Sequence, residues 1–241
     1  TAKMATSFAD GTKVSMEQAV VANATGMGVA TRGMLGIEHP GHIDEMTGLY
    51  DIEMLRQCGG VVEYALGALP SPGVYVFAEH ADPWQSRMLN YCKLGDGPLY
   101  SFYVPYHLMT FEAHFSLARA ALFRDPAIAP LAGPVVEVVA TAKRDLNPGE
   151  ILDGVGGHLL FGLAENRVAV REGSLLPIGA AEGCRLVRPV RRDEALTYED
   201  IVLPEGRLCD RLRREQDQKF DGGALDPGKR EAESPSHAKP S

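Results

Sequence analysis

The chain has 241 residues, 45% of them hydrophobic, with 26 Gly, 16 Pro and a net charge of −8. That is enough for one sizeable core or two smaller ones, with many turns and few long helices. The acidic balance argues against nucleic-acid partners, no apolar run reaches the length of a membrane span, and the first residues lack the apolar core of a signal peptide.

The four cysteines, Cys58, Cys92, Cys184 and Cys209, are widely spaced and form no Cys-x-x-Cys pair. They read as packing thiols in a reducing, cytoplasmic setting. The chain starts at Thr1 inside what reads as a structured segment, so an N-terminally incomplete protein is expected.

In chain order, Ser7–Gly26 reads as a tight turn at Asp10-Gly11, a short extended piece and a helix. Ser15 and Gln18 form a capping-box pattern, and Gly26 supplies the stop. Asp10, Lys13, Glu17, Asn23 and Thr25 sit among small apolar residues there, on either a solvated helix or a site. In Glu38-His39-Pro40-Gly41-His42-Ile43-Asp44-Glu45, two imidazoles stand near carboxylates, but Pro40-Gly41 forces a turn. The stretch reads as a polar loop rather than a metal cluster.

Residues 46–60 predict a short helix ended by Gly59-Gly60, and 61–66 a strand. Val74–Ala78 and Leu99–Val104 read as strands rich in β-formers, with one or two helical turns over 84–91 between them. A helix is expected over 109–123, with Phe111, Phe115, Ala118 and Leu122 on one face. His107 stands at the strand-to-helix junction, where a rigid support carries functional groups. It is either a site residue or a packed histidine.

After Pro134 the chain reads as a small all-β module, with strands at 135–142, 167–170, 186–190 and 201–203. The domain boundary falls at 133/134, giving a catalytic domain over 1–133 and a β domain over 134–206. A charged helix follows over 207–220. The 221–241 segment is expected to be disordered, because its composition cannot offset the entropy of ordering. The fold class is α+β: a mixed catalytic domain followed by the β module.

Two resemblances follow from these residues. Ala140-Thr-Ala-Lys-Arg-Asp-Leu-Asn-Pro-Gly-Glu-Ile-Leu-Asp153, with Glu194–Ile201, resembles the SAF domain, a β-clip module. Lys3–Lys13, Ala22–Gly26 and Gly95–Leu108 resemble a homoserine-dehydrogenase-like group that includes the DXR-like reductoisomerases. That resemblance implies an NAD(P)-binding Rossmann domain, a catalytic α/β domain and an SAF domain. No Gly-x-Gly-x-x-Gly follows a strand in this chain, so it implies that the Rossmann half is absent. Val104 stands where the group is expected to carry Arg before Pro-Tyr-His-Leu, which weakens a sugar-phosphate substrate.

The resemblance implies NADP or NAD as cofactor, with a divalent metal left open and its ligands unknown. It implies catalytic roles for Lys3, Asp10, Lys13, Glu17 and His107. Lys3 and Lys13 would neutralise an alkoxide or grip an anion, while Asp10 and Glu17 tune or relay a proton. Ser7, Asn23, Thr25 and Tyr106 would bind a small-molecule substrate, with Tyr106 and His107 forming the opposite wall. A homo-oligomer is a further expectation. The competing readings are a non-catalytic SAF-type carbohydrate-binding or flagellar P-ring-chaperone-like protein, and a lyase or isomerase that needs no nicotinamide.

Overall fold

Helices α1 (Ala2–Ala9) and α2 (Thr12–Thr25) meet at an elbow formed by Asp10 and Gly11. The computed structural model that shows this describes residues 1–106 and 108–221. Thr1 caps α1 by accepting from the Met4 amide. The Asp10 carboxylate accepts from the Thr12 amide at 2.9 Å, and Gly11 takes the left-handed conformation (φ +80°) that the reversal needs. Gly26, again left-handed, ends α2 with its N–H on the Ala22 carbonyl. The expected extended piece and the Ser15–Gln18 capping box are therefore corrected. Asp10 and Gly11 start the helix a turn earlier, and Ser15 is buried inside it.

The buried stripe of α2, Thr12, Ser15, Ala19 and Ala22, follows helical spacing and consists of small residues. It lies on an antiparallel hairpin, β5 (Val136–Ala142) with β6 (Leu160–Asn166), paired from Val136↔Asn166 to Ala142↔Leu160. Contact is close: a Cβ on Gly162 would stand 2.6 Å from Val138 Cγ1 and 3.0 Å from Thr12 Cγ2. Ala19 and Ala22 pack with Val29, Met34, Val62, Val136 and Ala164 in one core cluster. The expected boundary at 133/134 runs through that cluster, and Thr1–Pro204 forms one compact unit.

A larger core continues along the same face of the hairpin, through Ala140, Ala142 and Leu160. Leu146, Leu152, Leu160, Leu176, Ile178, Leu186 and Leu196 are each at most 1% exposed there. Helix α6 (Arg167–Glu172) and the short α7 (Ile178–Ala181) complete this half, with β7 (Arg185–Leu186) antiparallel to β8 (Ile201–Val202). The expected strand at 167–170 is thus a helix. Its Val-Ala-Val pattern suits either period, but Val170 packs with Val139 and Leu175 while Val168 is exposed.

Between the two halves of this core the chain makes small elements. Strand β1 (Ile37–Glu38) pairs in parallel with β2 (Ala65–Leu66), so the strand expected over 61–66 shrinks to its last two residues. The helix expected over 46–60 is split into a 3₁₀ turn, Ile43–Gly48, and α3 (Ile52–Cys58). Asp51 restarts the chain as a cap, and Gly59 ends it. Strand β3 (Val74–Glu79) pairs antiparallel with β4 (Leu99–Val104), with α4 (Pro83–Tyr91) between them. Helix α5 (Met109–Ala118) and a π-turn (Arg119–Phe123) follow.

The fold is α+β, as expected. A second unit begins at Glu205 and contains α8 (Leu208–Asp221). Disorder is expected over 221–241, but Asp221 closes α8, and the rest of that segment lies outside the described residues. Among those residues, no helix is long and apolar enough to cross a membrane.

Candidate functional site

The α1–α2 elbow gathers two lysine–carboxylate pairs. Within it, the Asp10 carboxylate is held on both sides. Oδ1 accepts from the Thr12 amide, and Oδ2 lies 2.7 Å from Lys143 Nζ at the end of β5. Lys143 also donates to the Gly157 carbonyl at 2.6 Å. Burial pushes the Asp10 carboxyl up, but Lys143 and the Thr12 hydrogen bonds outweigh it and hold the group below the usual carboxylate range. Asp10 is therefore ionised at neutral pH, with Oδ1 facing the Thr12 amide and Oδ2 facing Lys143.

The second pair, Lys13 with Glu17, lies one helical turn apart on α2 and is more open, with side chains 31% and 49% exposed. Lys13 Nζ also stands 4.5 Å from the Phe8 ring centroid. The ring of α1 and the carboxylate of α2 thus hold one ammonium in place while part of it faces solvent.

The other candidates lie apart from this pair. Lys3 is exposed and reaches Glu182 at 3.7 Å. Ser7 is buried and donates to the Met4 carbonyl within its own helix, and Thr25 donates to the Val21 carbonyl. Asn23 serves as a clamp. Its Oδ1 accepts from the Val135 and Val136 amides at 2.7 and 2.9 Å, and its Nδ2 donates to the Val136 carbonyl. Tyr106 is exposed and has no hydrogen bond to Lys13 or Glu17 among the described residues. His107 lies outside the described residues.

Lys143 is the participant that residue-by-residue reading missed. It stands in Ala140–Lys143, far in sequence from Asp10. The only signal was that β5 ends in an otherwise apolar run with a cation.

The histidine loop divides into separate pairs, His39 with Glu45 at 3.0 Å and His42 with Asp44 at 3.1 Å. Among the described residues, no group of three or more His, Cys, Asp or Glu side chains is placed to hold a metal ion. A dinucleotide cradle needs a strand, a Gly-rich turn and a helix whose backbone stays open to the pyrophosphate. The sequence has no Gly-x-Gly-x-x-Gly turn, and Gly28 and Gly156 are closed against the Asn166 side chain and the Lys3 carbonyl. The described residues do not by themselves fit a nicotinamide dinucleotide.

Residues 1–113 match an oxidoreductase catalytic domain. The matching family is described as "Oxidoreductase DRL, catalytic domain", and its span includes the elbow, the histidine loop, the β3–β4 hairpin and the start of α5. No curated protein matches the chain. The DRL match supports a general oxidoreductase function and places Lys13, Glu17 and Asp10 inside the matched segment, with Lys143 beyond it.

Proposed function

We propose that this chain is the substrate-handling part of an NAD(P)H-dependent oxidoreductase acting on a small hydroxy-carbonyl compound, of which a sugar phosphate is one form. The observation that carries this reading is the DRL match over residues 1–113. A bound nicotinamide would supply the hydride, and its binding falls to residues other than those described. The β5–β8 half is assigned to an SAF-type module, and the unbridged thiols suit a reducing cytoplasm.

In this reading Lys13 is the electrophilic group. A carbonyl that becomes an alcohol passes through a developing alkoxide, and a fixed ammonium beside that oxygen stabilises it and can give it a proton. Glu17 and Phe8 hold Lys13 so that its position costs little at the moment of reaction. Lys3, exposed on α1, offers a second cation to an anionic substrate. Asp10 positions the elbow through Lys143, and Asn23 positions it through Val135 and Val136. His107 and Tyr106 remain the proposed opposite wall.

The test is NADPH-dependent carbonyl reduction by the full-length protein. Lys13→Ala and His107→Ala are expected to lower kcat by about 100-fold or more with the fold intact. Unchanged turnover in either variant would remove that residue from the site. Unchanged turnover in both would overturn the assignment of the elbow.

A further inference from the structure

Helix α5 and the π-turn after it run as one continuous helix, since Ala118 and Arg119 at their junction keep right-handed helical angles. From Leu108 to Arg124 every residue is exposed, with Phe111, Phe115 and Leu122 at 73%, 62% and 73%. These three and Ala118 recur at intervals of three and four, so they form one stripe along the helix. Such a stripe is the seam of a two-helix coiled coil, in which the residues flanking the seam decide which partner fits and in which direction. One flank of this seam carries Glu112 and, seven residues on, Arg119. Among the described residues Glu112 has no ion-pair partner. Arg119 gives Nε and Nη2 to Asp125 of its own chain, a pair that does not use Nη1, and its side chain is 50% exposed.

We infer that α5 pairs with α5 of a second copy of this chain, the two helices antiparallel about a two-fold axis near Ser116 and Leu117. In that alignment Phe115 of each copy meets Ala118 of the other and Phe111 meets Leu122, so large side chains face a small one beside the axis. Equivalent flanks meet in an antiparallel pair, so Glu112 of each copy faces Arg119 of the other, twice by symmetry. This charge pattern selects the occupant and its direction. A parallel pair would set Arg119 against His114, with no acid to meet it. A helix lying on a membrane carries a polar face rich in Lys and Arg, whereas Arg119 is the one such residue between Met109 and Phe123. The seam is about two heptads long, so the interface belongs to the small, reversible class that forms in the micromolar range.

The experiment is sedimentation of the full-length protein across the micromolar range, beside Glu112→Arg, Arg119→Glu and an equimolar mixture of those two variants. The wild type is expected to pass from monomer to dimer as its concentration rises. Each variant alone sets like charges at both contacts and is expected to dimerise about 10-fold more weakly, with unchanged circular dichroism because both positions are exposed. In the mixture one copy brings two arginines and the other two glutamates, so both contacts are again opposed and dimerisation is expected to return. The Arg119–Asp125 pair stays broken in one member of the mixture, so recovery there separates the interface from a local effect. A wild type that stays monomeric, as it would if another part of the full chain covered α5, would overturn the inference. So would a dimer that ignores both reversals, or a mixture no stronger than its components. Should a variant misfold, wild-type hydrogen exchange decides: it must slow over 109–123 as concentration rises, and an unchanged rate there would equally overturn the pairing. None of these measurements involves turnover, so their outcome is separate from that of the oxidoreductase reading.

Discussion

The β5–β6 half and the segment from β3 to the π-turn use similar apolar residues to opposite ends. Around β5–β6, Leu146, Leu152, Leu160 and Leu176 are buried to 1% or less, and charges are paired even where water is excluded, as with Glu137 and Arg167, each about 8% exposed. From β3 to Phe123, phenylalanines stand 42–76% exposed on the outer sheet face and α5, with few charges to accompany them. Apolar content alone therefore does not locate a core. What differs is whether a second layer of the same chain reaches the surface.

The sharpest way to break that contrast is at the buried ion pair. Glu137→Ala strips a carboxylate from a buried guanidinium and is expected to cost about 3–5 kcal/mol in urea unfolding. Next is the clamp that ties α2 to β5. Asn23→Ala removes the side-chain acceptor of the Val136 amide and leaves the Val135 amide with the Gly133 carbonyl alone, and is expected to cost about 1–3 kcal/mol, with α2 exchanging faster in hydrogen-exchange measurements.

A smaller, pH-dependent effect is expected at Asp10. Its lowered pKa means that its contribution is present above the ordinary aspartate value of about 3.9. The contribution is lost as pH falls through the lower folded-state value. Asp10→Asn should therefore be less stable than the wild type near neutrality. The gap should close in acid, as read from melting temperatures across a pH series. The smallest effect on the protomer belongs to the exposed helix: Phe115→Ser is expected to shift its unfolding free energy by no more than about 0.5 kcal/mol. A larger loss would show that α5 is already packed within one protomer.

Local chemistry made several elements legible in the sequence. Helical turns over 84–91 fall within α4, β-formers announce β3 and β4, and Gly26 and Gly59 end their helices as turn chemistry requires. The misread elements are those decided at long range. Ser15 resembles a cap until the hairpin buries it, and Val168–Val170 resembles a strand until Val139 selects one side of a helix. The candidate site divides along the same line. Lys13 and Glu17 are neighbours by helical spacing and could be paired by inspection, whereas Asp10 meets Lys143 across 133 positions, and no local pattern joins them. The α5 helix was legible as a helix with an apolar face, but its exposure was not, because periodicity does not say what lies opposite a face.

The Thr12 hydroxyl accepts from the Gly162 amide, 150 positions away, and Asn23 grips a backbone more than 110 positions away. During synthesis, then, α1 and α2 leave the ribosome with the small-residue stripe of α2 facing nothing, and its seat at Gly162 follows 150 positions after Thr12. Because such distant contacts must precede any stabilisation from them, a ribosome stalled before β6 would hold α1–α2 unseated. Helices α1 and α2 are thus made well before the strand that secures them.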